Sequence, residues 1–494
     1  MTNGEMLIVA RENAGLSQQE FAEMLCVPQR LIQEWESDKR KITSQLLGLM
    51  KRMLECQVGN KKLNSIDLFA GCGGLTDGFE QSNLYNTLAA VEWEEKPVLT
   101  LRKRLCDKWG MKDANERVMR FDIQRTDELF EGWNADDKYG NGKGLDHYVK
   151  PVGLDVIIGG PPCQAYSIAG RVSNENSMIA NSVQVDYRNY LFESYIKVVT
   201  RYKPKVFVFE NVPGMLSAKV GGHKDENGNR VDGVPVIQLI KRQFDIAGYE
   251  VLNDLGKAIV DFTEYGVPQN RKRVIILGVN KECYGAKRSR IMVEQFYSKY
   301  LPKYKDLSED ISVRKAIGDL PKLYPLPGNE EISVNGQKTA HSLPEPMISR
   351  HIARKHNARD IETFRILEED IASGKGEYTS IEALKKLYTE RTGKQSNVHK
   401  YHVLRWDEPS NLIPAHLHKD GLRHIHPDPE QCRTITEREA ACLQTFDRDF
   451  EFEGTAADVY KMIGNAVPPK FSKCCACAVY DLLIDYRRGI EVLC

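Results

Sequence analysis

The stretch "SIDLFAGCGGLTDGF", residues 65–79, reads as a short apolar strand, a glycine-rich turn and the start of a helix. Four more apolar runs follow: "TLAAVEW" (87–93), "LDVIIGG" (154–160), "KVFVFEN" (205–211) and "RVIILGV" (273–279). Helix-like stretches separate them. Alternating buried strands and helices predict an α/β fold with a doubly wound, mostly parallel, Rossmann-like sheet. Ligands of such sheets sit beyond the carboxyl ends of the strands, so those ends hold the candidates for chemistry.

The glycine turn is the first candidate. Gly71, Gly73 and Gly74 let backbone approach a ligand closely, and a helix N-terminus behind them favours negative charge. The turn lacks the Lys-Ser/Thr ending of a phosphate-cradling loop and the G-x-G-x-x-G of a dinucleotide site. A single carboxylate, such as the methionine end of S-adenosylmethionine, suits it better. Glu92 closes the second strand, where folds of this type place an acid for ribose hydroxyls. Trp93 beside it either stacks on an adenine or packs in the core.

The second candidate is "GGPPCQAYS" (159–167), where Pro161 and Pro162 fix the backbone ahead of Cys163. A thiol there is a buried filler, a metal or redox ligand, or a nucleophile. A hydrolase would need a paired histidine, and none lies nearby in sequence. Two other strand ends carry charge. "VFVFENVPG" delivers Glu210 and Asn211, and "YGVPQNRKRVIILG" delivers Gln269, Arg271 and Arg273. A thiol, an acid and arginines without a histidine base suit methylation of a pyrimidine at C5. That carbon is a poor nucleophile until a thiolate adds at C6. The charge that addition leaves at N3 and O2 is met by a carboxylic acid and an arginine.

Composition sets broad limits. The 494 residues allow about three domains. Lys and Arg number 69, as do Asp and Glu, so net charge neither requires nor excludes a nucleic-acid partner. Charged residues interrupt the first apolar segment, and no stretch is long enough to span a bilayer, which predicts a cytoplasmic protein. Its 12 cysteines then read as thiols. Cys474 and Cys477 have CxxC spacing but lack a second pair, so packing in an apolar helix is expected and no metal.

Ahead of the sheet, residues 5–54 read as short helices joined by tight turns. Ser17 and Glu20 form a capping box. The pattern "GLSQQEFAEML…PQRLIQEWESDKR" resembles the phage-repressor type of helix-turn-helix domain. By that resemblance Gln18 touches DNA backbone, while Gln29, Arg30 and Gln33 face bases. Trp35 is expected in the small core. The other reading is a helical interaction module. "VGNKKLNS" (58–65) reads as a linker. From about 280 to 430 the alternation fades into segments rich in Lys, Arg and His. These include "SRHIARKHNARD" (349–360) and "HKYHVLRWDEPSNLIPAHLHKDGLRHIHP" (399–427). They suit phosphate contacts or a solvated face equally. Thr436 and Glu439 then cap a clear helix, and "GNAVPP" (464–469) leads into a last one.

Taken in order, "DLFAGCGGL", "GGPPCQAYS", "ENVPG", "QNRKR", "RTITEREAACLQTF" and "GNAVPP" resemble the bacterial-type DNA (cytosine-5)-methyltransferases, over nearly all of residues 62–490. The resemblance implies an S-adenosylmethionine-dependent methyltransferase domain that yields S-adenosylhomocysteine and uses no metal. It makes Cys163 the nucleophile, Glu210 the partner of N3, and Arg273, supported by Arg271, the contact to O2. Phe69, Gly71, Gly73, Leu75 and Pro161 would line the donor pocket, with Glu92 on the ribose and Trp93 on the adenine. Asp122 and Ile123 in "RFDIQ" match the adenine position, and Leu191, Asn465 and Val467 would close the pocket. Gln164 and Ser167 fall in the loop that closes over DNA.

The implied domains are a helix-turn-helix at 1–58 and catalytic parts at 62–280 and 431–494, around an irregular target-recognition domain at 281–430. The implied partner is double-stranded DNA, both at the target site and at an operator, with a cognate restriction endonuclease acting separately. Phe121, Tyr166 and Met462 depart from the usual Gly, Phe and Gln. Two other classes compete with this reading: a DNA-binding protein that has lost catalysis, and an RNA cytosine methyltransferase. Duplex DNA suits the long recognition segment and the repressor-like domain better.

Overall fold

The computed structural model describes residues 17–24, 27–40, 62–162, 191–220, 234–334, 336–396, 400–419 and 421–487, with a few isolated positions besides. Near the N-terminus, α1 (Gln18–Met24) and α2 (Gln29–Glu36) form the helical pair expected there. The Ser17 hydroxyl accepts from the Glu20 N–H at 3.2 Å, and the Glu20 carboxylate accepts from the Ser17 N–H at 2.7 Å, which closes the capping box. Trp35 is buried, as expected.

The main body is an eight-stranded mixed sheet. Its strands are β1 (Leu63–Leu68), β2 (Tyr85–Glu92), β3 (Val118–Arg120), β4 (Val156–Gly159), β5 (Val206–Asn211), β6 (Tyr249–Glu250), β7 (Ile259–Asp261) and β8 (Lys272–Asn280). Their order is β6-β8-β5-β4-β1-β2-β3, with β7 paired to β8. The run from β5 to β3 is parallel, and β8 returns antiparallel to β5, opposing Ile275 to Glu210. All five sequence-predicted strands are present. β3 escapes notice because three residues carry too little pattern to read. Every residue of β5 is buried, because helices cover both faces and a strand buried on both sides reads as an unbroken apolar run.

The strand order reverses between β1 and β4, which opens a crevice beyond their carboxyl ends. The antiparallel β8 begins where β5 ends, so Arg271 and Arg273 reach the same edge as Glu210. Helix α3 (Gly74–Ser82) follows the glycine turn and α4 (Glu95–Asp107) follows β2. The last helix, Pro469–Arg487, returns against α3. A Cβ added at Gly78 would come within 2.3 Å of the Ser472 Cβ, so only glycine permits this approach. Val467, Phe471, Val479 and Leu483 of this C-terminal segment share one core with Leu63, Val208 and Ile275. Met292, Phe296 and Leu301 join that core, although strand–helix alternation has already faded there in the sequence.

Four histidines of the His-rich stretches are turned inward, away from any phosphate. His351, His356, His424 and His426 are buried, and burial drives the last three down to a pKa of about 3. They are therefore neutral and bond internally: His351 Nδ1 lies 2.9 Å from the Thr436 hydroxyl and His356 Nε2 lies 3.1 Å from that of Thr434. Arg350 and Arg354 also turn inward, to the carbonyls of Phe452 and His418. Lys355, Arg359 and Lys419 remain on the surface.

The "TITEREAACLQTF" segment caps as expected, through Thr436 and Glu439. Glu439 does more than cap. Buried, it receives the Arg433 guanidinium at 2.7 Å on both oxygens, while the Thr436 N–H donates to it at 2.7 Å. Arg433 holds the Glu439 carboxyl well below the usual carboxylate range. The pair therefore stabilises the fold above that range, and the contribution is lost as pH falls through the lowered value. Glu439→Gln would leave Arg433 as an uncompensated buried charge. Urea unfolding at neutral pH should show a loss of about 3–5 kcal/mol; a loss below about 1 kcal/mol would contradict this account.

Candidate active site

A cavity of about 640 Å³ opens at the strand-order reversal. Its size falls in the range of small-molecule sites, roughly 300–1,000 Å³. One end is built by the glycine turn, the tip of β2 and the segment after β3. Phe69, Gly71, Leu75, Glu92, Trp93, Asp122 and Ile123 all line it. Leu191, Pro161, Asn465 and Val467 line it too, so the residues singled out in the sequence for the donor pocket converge, with the exception of Gly73. Gly73 stands behind the turn: with φ +93° it is the N-cap of α3, and a Cβ there would meet Leu101 at 2.4 Å. Its role is helix start and packing against α4.

Glu92 holds the turn in shape. Its carboxylate accepts from the N–H groups of Gly71 (2.9 Å), Trp93 (2.8 Å) and Glu94 (2.9 Å). Burial raises its pKa, and these bonds oppose the rise. Trp93 is 42% exposed, so it is no core residue, and Lys138 lies 5.6 Å from its ring. Phe121 stacks on Trp133 at 3.8 Å, which accounts for a large ring ahead of Asp122.

At the other end Glu210 and Arg273 are paired, Arg273 Nε lying 3.0 Å from Glu210 Oε1, with both side chains almost buried. Burial pushes the Glu210 carboxyl up, and the Arg273 and Arg271 guanidiniums pull against it. Asn211 donates to Pro161 O at 3.3 Å, tying the end of β5 to the turn after β4. Pro162 lines the cavity, and Cys163, Gln164 and Ser167 lie outside the described residues. Arg271 is buried and bonds the backbone carbonyls of Gly464 and Ala466, whereas Arg273 donates to the neighbouring Lys272 carbonyl and pairs with Glu210.

Gly74, Arg120, Lys138 and Lys461 also line the cavity. Gly74 belongs to the glycine turn already singled out in the sequence, and Arg120 precedes "FDIQ", so the arginine could have been read from that motif. Lys138 lies in a hairpin of two short strands, Trp133–Asp136 and Gly140–Gly142, that no motif marks. Among the described residues no group of three or more His, Cys, Asp or Glu could hold a metal ion, and no helix is long and apolar enough to cross a membrane.

In the N-terminal domain Gln29, Arg30 and Gln33 are exposed along α2. The Gln33 amide donates to Gln18 Oε1 at 3.4 Å, and Gln18 donates to Glu36 at 2.6 Å. Glu36 also receives Arg11 at 2.6 Å, so part-buried polar bonds on Glu36 pin the helices beneath an exposed polar face.

Comparison with known proteins agrees with both parts. The family model for C-5 cytosine-specific DNA methylases matches residues 63–479, and a helix-turn-helix model matches residues 7–58. The type II methyltransferase M.Bpa9945I of Bacillus paralicheniformis is 33% identical, over 85% of this chain and 98% of its own. M.AgeI of Thalassovita gelatinovora is 26% identical over 84% and 98%, and M.DdeI of Desulfomicrobium norvegicum 28% over 84% and 88%. A crystal structure of a candidate prophage-encoded DNA modification methyltransferase from E. coli superimposes with a TM-score of 0.52 at 22% identity. It covers 86% of this chain and all of its own, which shows the shared fold. From the match over residues 63–479, the chain belongs to the C-5 cytosine-specific DNA methylase family and carries an N-terminal helix-turn-helix domain.

Proposed function

We propose that the chain transfers a methyl group from S-adenosylmethionine to C5 of a cytosine flipped out of a specific duplex sequence, through a covalent bond from Cys163 to C6. The Glu210–Arg273 pair carries this reading, because it faces a cavity whose far end is the glycine turn and Glu92. The Cys163 thiolate adds at C6, and the displaced electron pair makes C5 nucleophilic. Burial favours the acid form of Glu210, which donates toward N3, while Arg273 stabilises the charge at O2. The bound donor supplies a methyl group activated by a sulfonium. Loss of the C5 proton to a base then expels the thiolate and restores the aromatic ring.

The residues present suit that donor. The α3 N-terminus favours its carboxylate, Glu92 retains lone pairs for ribose hydroxyls, and the exposed Trp93 ring offers a face to adenine. Flipping brings the base to Glu210, since C6 of a stacked cytosine is out of reach. The type II relatives support a role as the methylase of a restriction–modification system, with a separate cognate endonuclease. The exposed face of α2 supports operator binding and repression of the chain's own operon.

A labelled-methyl assay on duplex DNA and on tRNA tests the catalytic reading, with bisulfite sequencing to locate the site. Label is expected in DNA, and its absence there would overturn the assignment. A chain lacking residues 1–58 should keep most methylation and lose binding upstream of its own gene. Abolished methylation would instead place that domain in catalysis.

A further inference from the structure

Residues 268–271, just ahead of β8, are stitched to a strap at 410–415 within the recognition segment. The Ser410 N–H donates to Pro268 O at 3.0 Å, and the Asn270 N–H donates to Ser410 O at 2.8 Å. The Ile413 N–H donates to Gln269 Oε1 at 3.2 Å. Gln269, buried, donates onward to Leu443 O at 3.2 Å and to Gln444 Oε1. Gln444 then donates to Ile463 O at 2.9 Å and Ala466 O at 2.5 Å. Arg271 spans both sides. It is 1% exposed, with Nη1 donating to Ile413 O at 3.4 Å and Nη2 donating to Gly464 O at 3.2 Å and Ala466 O at 2.8 Å. The strap lies directly on the turn, since a Cβ at Gly464 would come within 2.3 Å of the Pro414 carbonyl carbon.

We propose that Arg271 is a positioning residue for the donor pocket, holding the Gly464–Val467 wall in register with the recognition strap, and that it makes no contact with the target base. This rests on reading the cavity as the donor site. Asn465 and Val467 of that wall line the cavity, and their backbone neighbours are the acceptors Arg271 serves. A planar guanidinium presents donors from separate nitrogens in a fixed fork and so reaches carbonyls on two segments at once, whereas an ammonium donates from a single point. Lysine retains the positive charge beside Glu210, so Arg271→Lys separates geometry from charge.

Calorimetric titration of the full-length chain with S-adenosylhomocysteine tests this. Arg271→Lys should weaken binding about tenfold, the loss of one or two charge-assisted hydrogen bonds. The KM for the donor should rise by more than kcat falls. Arg273→Lys should leave binding within about twofold, since Arg273 bonds none of the wall carbonyls. A merely structural role would lower the melting temperature and the active fraction without moving the dissociation constant. Should Arg271→Lys fail to fold, Gln444→Leu removes donors to the same wall and should weaken binding in the same direction. Unchanged affinity in a folded variant overturns the assignment. If the wild-type chain itself fails to bind S-adenosylhomocysteine, the reading of the cavity falls, and this assignment with it.

Discussion

Cys163→Ser is expected to lose methyl transfer, with kcat down about a thousandfold or more, ~4 kcal/mol of barrier. A serine hydroxyl stays protonated near neutral pH, and an alcohol adds to C6 far less readily than a thiolate. Among the described residues the site contains no substitute. Glu210 is paired with Arg273, and Cys72, on the glycine turn, is buried with its thiol directed to Met462 O at 3.8 Å. Burial also raises the Cys72 thiol far above its ordinary value, so it supplies no thiolate. The loss should appear in single-turnover transfer of labelled methyl to duplex DNA, with donor affinity retained. A serine variant that turns over at the wild-type rate would remove the covalent step from the mechanism.

Glu210→Gln is the second large effect, a fall in kcat of about a hundredfold to a thousandfold, from loss of a proton donor beside a developing charge. The amide keeps the size of the side chain but cannot deliver a proton to N3. Burial raises the Glu210 pKa, and the guanidiniums moderate the rise. The acid form therefore persists above the ordinary carboxylate range, and wild-type kcat should decline as pH climbs through the raised value. Glu210→Gln should lack that limb of the pH–rate profile. A variant that retains it would assign the titration to another group.

The contrast between Arg271 and Arg273 shows where sequence reading stops. Two residues apart in "QNRKR", they read as a base contact, Arg273, and its support, Arg271. In the fold Arg273 meets Glu210, whereas Arg271 is spent on carbonyls from residues about 140 and 190 positions along the chain. Spacing within a motif does not record such long-range partners. The histidines of 349–427 teach the same lesson. A run of His, Lys and Arg reads as basic, yet burial neutralises His356, His424 and His426 and turns them into internal hydrogen-bonding groups. Gly73 read as a cavity residue because glycine signals close approach, and only the packing showed that Leu101 is what approaches it.

Local features were settled by the sequence alone. The five main strands, the capping boxes at Ser17 and Thr436, and the placement of Glu92, Glu210 and Arg273 at strand ends all follow from short-range pattern. Such features depend on neighbours within a few residues, and these the sequence displays directly. Tertiary structure decided what faces what. It joined the ends of β1, β2, β4, β5 and β8 into one cavity, folded the last helix against α3 through Gly78, and set which charges are buried. Those outcomes depend on desolvation and on contacts between segments far apart in the chain, and both arise only when the sheet closes and excludes water.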